Sequence, residues 1–119
     1  MNKEEFIKKW LKDHQYCVIA TSCKDDPWAA TVNYSLDDDF NIYISTNPAS
    51  LKFKNILENL NVCLVIDSQN REGTLQIKGV AEILKPTGPD EPNIKIKPSY
   101  MVFKSKGEAG ELNTIELKF

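Results

Sequence analysis

The sequence has one histidine, His14, and one arginine, Arg71. With so little imidazole, no Ser-His-Asp or Cys-His arrangement is evident, and hydrolytic chemistry has no visible machinery. The three cysteines, Cys17, Cys23 and Cys63, lack the paired spacing of a zinc site. Cys17 and Cys63 sit inside apolar strand patterns and read as reduced core thiols, whereas Cys23 falls near a turn and is expected to be exposed. Fifteen basic residues against seventeen acidic ones give a net charge of −2, so counterion release offers nothing toward nucleic acid. Long hydrophobic runs are missing too. Residues 62–66 are far too few to cross a bilayer, and the opening Asn-Lys-Glu-Glu is not an export signal. The expectation is a cytoplasmic protein with neither a membrane nor a nucleic-acid partner. A hydrophobic content of 41% and a charged content of 27% are ordinary for one soluble globular domain, here residues 1–119.

What is present is mostly strand. Residues 2–14 read as a short amphipathic helix. Asn2 is its N-cap, Glu5 stands three residues on as in a capping box, and Phe6, Ile7, Trp10 and Leu11 share one face. His14 ends that helix, where a cation is mildly favoured. Residues 16–21 are a β-rich run, ended by the turn-forming Lys24-Asp25-Asp26-Pro27. A second strand, 28–36, places Ala30, Val32 and Tyr34 on one face and a small polar row, Ala29, Thr31, Asn33 and Ser35, on the other. That row either faces solvent or lets a flat ligand approach the backbone. Asp37, Asp38 and Asp39 invite a metal reading, but consecutive acids splay apart and these sit where a hairpin loop belongs, so a solvated turn is expected. Residues 40–46 form a third strand. Residues 61–67 read as a strand buried on both faces, and 74–84 as another with Leu75, Ile77 and Val80 inward and Gly79 at a bulge or close approach. Residues 85–98 hold four of the six prolines and read as a loop. Strands 100–103 and 114–119 close the sheet. The predicted fold class is mainly β, a barrel of six to seven mostly antiparallel strands with two flanking helices.

Between residues 43 and 60 the pattern passes from strand to helix. Asn47 is a good N-cap, Pro48 suits the first helical position, and Phe53, Ile56, Leu57 and Leu60 recur at helical spacing, so that face is expected to be buried. The charges break the pattern. A helix start attracts acids because its free N–H groups leave partial positive charge. This one has no acid in its first two turns and carries Lys52 and Lys54. Hydroxyls of Ser45, Thr46 and Ser50, free backbone N–H groups and the Lys52 ammonium can together cradle a phosphate. Two lysines pointing into water explain the same residues at small cost. The residues alone leave both readings open.

Residues 16–84, taken as one block, resemble the flavin mononucleotide (FMN)-binding split barrels related to pyridoxamine 5'-phosphate oxidase. The most specific piece is Thr46-Asn47-Pro48-Ala49-Ser50-Leu51-Lys52, similar to the family's Thr-Asn-x-x-Ser-Arg-Lys segment and followed by a helix, an Asn-rich exit and a Val-rich strand. Asp26-Pro27-Trp28 and Gly79-Val80-Ala81-Glu82 fall in the expected order. The resemblance implies FMN as cofactor, with Lys52 at its phosphate and Ser45 and Thr46 near the ring or ribityl chain. Ala30, Thr31, Val32, Asn33, Tyr34 and Ser35 would lie along the isoalloxazine, and Thr74 would supply a polar side chain to the cofactor. It also implies a homodimer with cofactor sites at the interface, for which Trp28, Tyr34 and Phe103 are candidate aromatics. Two departures stand out. The family's Arg before the Lys is Leu51 here, with Lys54 the nearest substitute. The Arg-x-His substrate clamp of true pyridoxamine phosphate oxidases has no counterpart, since the one Arg is at 71 and the one His at 14.

The function so implied is a flavin-dependent oxidoreductase acting on a small planar substrate other than pyridoxamine phosphate, with no catalytic side chain assigned. One alternative is a binding module without turnover, holding flavin, deazaflavin or haem on the same barrel. Another is a cofactor-free structural barrel, whose small polar strand would simply face water.

Overall fold

The computed structural model describes residues 1–68 and 72–119, so Arg71 and the middle of the loop expected at 68–73 lie outside the described residues. Helix α1 (Lys3–Lys12) forms as its sequence asks. The Asn2 carboxamide accepts from the Glu5 N–H at 2.8 Å, Glu4 and Glu5 occupy the first turn, and Lys9 and Lys12 the last. Ile7 and Leu11 are fully buried, and Phe6 and Trp10 meet the Phe103 ring edge-on at 5.0 and 4.8 Å. Phe103 is thus core rather than pocket. It lies so close to Gly73 that a Cβ there would stand 2.4 Å from its ring. The helix stops two residues earlier than expected, with Asp13 as C-cap, and His14 Nδ1 donates to the Trp10 carbonyl at 2.7 Å.

Eight strands follow among the described residues: β1 (Tyr16–Cys23), β2 (Asp26–Asn33), β3 (Ser35–Leu36), β4 (Ile42–Ile44), β5 (Asn61–Asp67), β6 (Gly73–Ile83), β7 (Ile94–Lys106) and β8 (Leu112–Lys118). Helix α2 (Leu51–Glu58) lies between β4 and β5. All pairings are antiparallel in the order β2-β1-β5-β6-β7-β4-β3, with β8 beside β7. The two ends of that path, β2 and β3, are separated in the chain by Tyr34 alone, so the ladder returns to its start. This is a mainly β barrel with two helices. Its interior is filled by alternating residues such as Ile19, Ile42, Leu64, Leu75, Ile77 and Ile96. No helix among the described residues is long and apolar enough to cross a membrane.

Several expectations need correction. The β1–β2 turn is only Lys24 and Asp25, both at positive φ (51° and 64°), the twist a two-residue hairpin requires, and Asp26 already pairs with Cys23. Residues 94–97 are strand rather than loop, because Ile94 and Ile96 are fully buried and pair with β4. In β7 the register skips Ser99: Lys78 pairs with Tyr100 and Gly79 with Pro98. That extra residue switches inward parity from Ile94 and Ile96 to Met101 and Phe103. Opposite the bulge, a Cβ on Gly79 would come within 2.7 Å of the Lys97 carbonyl oxygen, so the close approach expected there is real. Val80 points outward because β6 keeps its alternation through the bulge. β5 alternates instead of being buried on both faces, which exposes Cys63. Cys17 is buried, and desolvation pushes its thiol up to about 12, out of nucleophilic range.

Helix α2 differs most. Its N-cap is Ser50, whose hydroxyl accepts from Phe53 N–H, while Asn47 and Pro48 belong to the preceding turn. Leu57 and Leu60 are exposed, at 57% and 44%, and Ile56 alone among the expected apolar face is fully buried. In their place the buried Asn55 donates to Thr21 Oγ1 and Asn59 to Ser22 Oγ, each at 3.1 Å. The helix flanks the barrel on a seam of amide–hydroxyl bonds.

Candidate functional site

Strand β2 ends the ladder and pairs only with β1, so its other edge is open. The Tyr34 N–H donates to the Gln15 carbonyl at 3.0 Å in the same register, and antiparallel pairs alternate between bonded and unbonded. Val32 and Ala30 therefore bond toward β1, and the N–H and C=O groups of Ala29, Thr31 and Asn33 project from the open edge. Pro27 takes the edge position nearest the turn, where its missing N–H costs nothing.

A groove of about 510 Å³ runs along that edge. Thr31, Val32, Asn33, Tyr34 and Ser35 form one wall, while Ser45, Thr46 and Asn47 form the other. Lys52 of α2 stands at one end, and Asp90 and Pro92 reach in from the loop before β7. The volume is within the range of small-molecule sites. Among the described residues no acid lies within ion-pair distance of Lys52. The N–H groups of Ala49, Ser50, Phe53 and Lys54 are consumed by the turn and cap, leaving those of Leu51 and Lys52 as the free donors at the helix start. Fewer backbone donors are therefore on offer than the helix start suggested.

The remaining walls are held from behind. The Tyr34 hydroxyl donates to the Leu11 carbonyl at 2.7 Å, and burial raises its pKa, so the phenol stays neutral. Asp37 accepts from the N–H groups of Asp39 and Asn41, the Asn41 carboxamide and the Tyr43 hydroxyl. Partial desolvation pushes its carboxyl up, and those hydrogen bonds outweigh it and hold the pKa low. The acidic triplet thus includes an ordered Asx turn that anchors Tyr43 at the groove. No group of three or more His, Cys, Asp or Glu among the described residues is placed to hold a metal ion.

Of the eleven residues expected at the cofactor, eight meet in this groove: Thr31, Val32, Asn33, Tyr34, Ser35, Ser45, Thr46 and Lys52. Ala30 sits beside it in β2, half-buried and paired with Ile19. Ser50 spends its hydroxyl on the cap, donating to the Asn47 carbonyl at 2.7 Å. Thr74 lines a separate cavity of about 300 Å³ with Lys104 and Lys106, and its hydroxyl donates to Asp67. Lys54 is exposed and off the groove, since side chains two apart on a helix do not face the same way. Trp28 is half-exposed at the other end of β2. Sequence reasoning missed Tyr43, Asp90 and Asn93. The last is 8% exposed and bonds three ways to Thr46, and its one signal was a polar residue wedged between a proline and an alternating isoleucine pair.

A family model described as pyridoxamine 5'-phosphate oxidase matches residues 4–117. No curated protein matches the sequence. Among solved structures, general stress protein 26 from Bacillus anthracis str. Sterne is similar at 22% identity and a TM-score of 0.73, over 97% of this chain and 100% of that one. A pyridoxamine 5'-phosphate oxidase-related, FMN-binding protein from Nostoc punctiforme is similar at 11% identity and a TM-score of 0.66, over 98% and 97% of the two chains. An FAD-binding protein from Mesorhizobium loti is similar at 15% identity and a TM-score of 0.69, over 86% and 92%.

Proposed function

The chain belongs to the pyridoxamine 5'-phosphate oxidase family, and from that premise we propose that it binds FMN in the groove beside β2 and serves as a flavin-dependent oxidoreductase. One observation carries the reading: an unpaired lysine at a helix start and an open strand edge flank the same 510 Å³ groove. Lys52, with the N–H groups of Leu51 and Lys52, suits a phosphate. The alternating donors and acceptors of Thr31 and Asn33 suit the polar rim of a flat heterocycle. The FMN- and FAD-binding relatives agree with a flavin of either length. Leu51, where the family has Arg, leaves the anion with one charged partner, so modest affinity is expected. A bound flavin supplies hydride and electron transfer, and the chain's own residues hold and orient it. The substrate is a small planar molecule other than pyridoxamine phosphate. The sequence has one Arg and one His, and His14 is committed to the Trp10 carbonyl.

A cytoplasmic homodimer completes the proposal. The outer face of β2, β1 and β5 carries Tyr16, Val18, Ala20, Ala29, Thr31 and Val65, an uncharged patch beside the groove with Asp67 at its margin. A partly apolar patch of this kind suits a second copy of the chain.

The test is titration of FMN into the purified protein, followed by visible absorbance and fluorescence quenching. Lys52→Ala should bind about tenfold to a hundredfold more weakly, the scale of a lost charged hydrogen bond. Equal affinity of the variant, or no binding by the parent, overturns the reading. Sedimentation of the same samples addresses the dimer, and a monomer at every concentration would sink it. A second reading, a binding module without turnover, draws on one observation: among the described residues no histidine or cysteine lines the groove. Reduction of the bound flavin by a nicotinamide nucleotide would decide against it.

A further inference from the structure

We infer that Asn93 is a positioning residue that builds the wall opposite β2, an inference that rests on the flavin reading above. The β4–β7 ladder ends with Ile44 opposite Ile94. Continued two residues, the register would set Thr46 opposite Pro92, which has no N–H to give. Without another partner, the Thr46 backbone would leave the sheet unpaired at the place where residues 45–47 form the groove. The Asn93 side chain takes over. Its Oδ1 accepts from Thr46 N–H at 2.9 Å and from Thr46 Oγ1 at 3.2 Å, and its Nδ2 donates to the Thr46 carbonyl at 2.9 Å. A primary amide imitates the missing peptide unit.

The orientation of that amide is forced, because a backbone N–H requires an acceptor and a backbone C=O a donor. Asn93 is itself fixed. Its N–H donates to the Ile44 carbonyl at 3.1 Å, and its carbonyl accepts from Leu84 N–H at 2.8 Å. Thr87 and Glu91 brace the proline loop ahead of it through two bonds to the Glu91 carboxylate. On their far side residues 45–47 line a second cavity of about 450 Å³ that opens toward Pro86 and Pro89. They form a thin partition between two open spaces, and Asn93 pins its middle. Few side chains can do this. Aspartate lacks the donor, leucine lacks both groups, and glutamine carries an extra methylene.

The experiment compares wild type, Asn93→Asp and Asn93→Ala, reading FMN dissociation constants from about pH 5 to pH 8 together with hydrogen exchange of the Thr46 amide in flavin-free protein. At the upper end, N93D presents a carboxylate to the Thr46 carbonyl, and binding should weaken about tenfold or more. As pH falls and that carboxyl protonates, it regains a donor, and N93D should recover toward wild type. N93A should stay weak at every pH and exchange its Thr46 amide faster. Asp90, Glu91 and Lys95 flank the position in its own segment, Lys85 follows the Leu84 that bonds it, and Glu82 and Tyr43 stand on either side of Lys95 in the sheet. They are common to all three proteins, so the ratio to wild type at each pH isolates residue 93. N93D matching wild type throughout, or N93A binding flavin as tightly as wild type with Thr46 exchange unchanged, overturns the inference. If wild type binds no flavin, the flavin reading itself fails. Thr46 exchange then still judges Asn93, with faster exchange in N93A supporting its role as anchor and unchanged exchange refuting it.

Discussion

Helix α1 buries Ile7 and Leu11 completely and leans Phe6 and Trp10 on Phe103, whereas α2 buries one aliphatic side chain, Ile56, and rests on bonds from Asn55 to Thr21 and Asn59 to Ser22. Their ends differ in the same sense. The first turn of α1 carries two glutamates, and that of α2 has no acid but includes Lys52. Each local rule is obeyed by α1, which lines no part of the groove and reaches it only through the Leu11 carbonyl behind Tyr34. Several are broken by α2, which borders the groove. Departures of this kind collect where a protein holds something other than itself. An amide seam also fixes the helix by direction as well as by contact, so the lysine it presents is aimed.

Substitutions in the two helices can break or sharpen this contrast. The largest effect belongs to α1. Leu11→Ala should cost about 2–5 kcal/mol in urea or thermal unfolding, the scale of a truncated core leucine, and should change flavin affinity in the folded fraction little, because the backbone carbonyl that holds Tyr34 is kept. A loss well below that range would mean that α1 is not the stability helix. Next comes the amide seam. Asn55→Ala strands the Thr21 hydroxyl, 2% exposed, and should cost about 1–3 kcal/mol while also weakening flavin binding as α2 loosens. A purely thermal effect would show that the seam holds the helix without aiming Lys52. The smallest effect has the opposite sign. Lys52→Glu restores an acid to the helix start and should stabilise the flavin-free protein by about 0.3–1 kcal/mol, even as it abolishes flavin binding. If stability falls instead, the lysine is making a contact within the fold and the contrast collapses.

The same contrast explains how far the sequence could be read. Helix α1, β1 and the inward row of β6 up to Ile77 were legible because apolar side chains recur at the period of the element. The buried face of α2 was not, because it is chosen by hydrogen bonds that a hydrophobic count does not register, and so Leu57 and Leu60 were placed inside. Residues 94–97 were hidden by their alternating lysines and by Pro98, although Ile94 and Ile96 are fully buried. Ser99 then shifts the parity, which no periodicity can anticipate. In the groove, Thr31, Asn33 and Lys52 stood out as local oddities: a small polar row and a lysine at the wrong end of a helix. Asn93 acts on Thr46 from 47 residues away, and a single chain offers no pattern at that distance.

The open edge of β2 has a further consequence for how the protein keeps company. Unpaired N–H and C=O groups at Ala29, Thr31 and Asn33 would receive the rim of a heterocycle, but they would equally receive a strand from a stranger. Pro27 blunts only the first residues of that edge, and no lysine guards the rest. A tenant in the groove would therefore act as a chaperone of sorts. When the tenant is scarce, crowded copies of the chain have a place to stick.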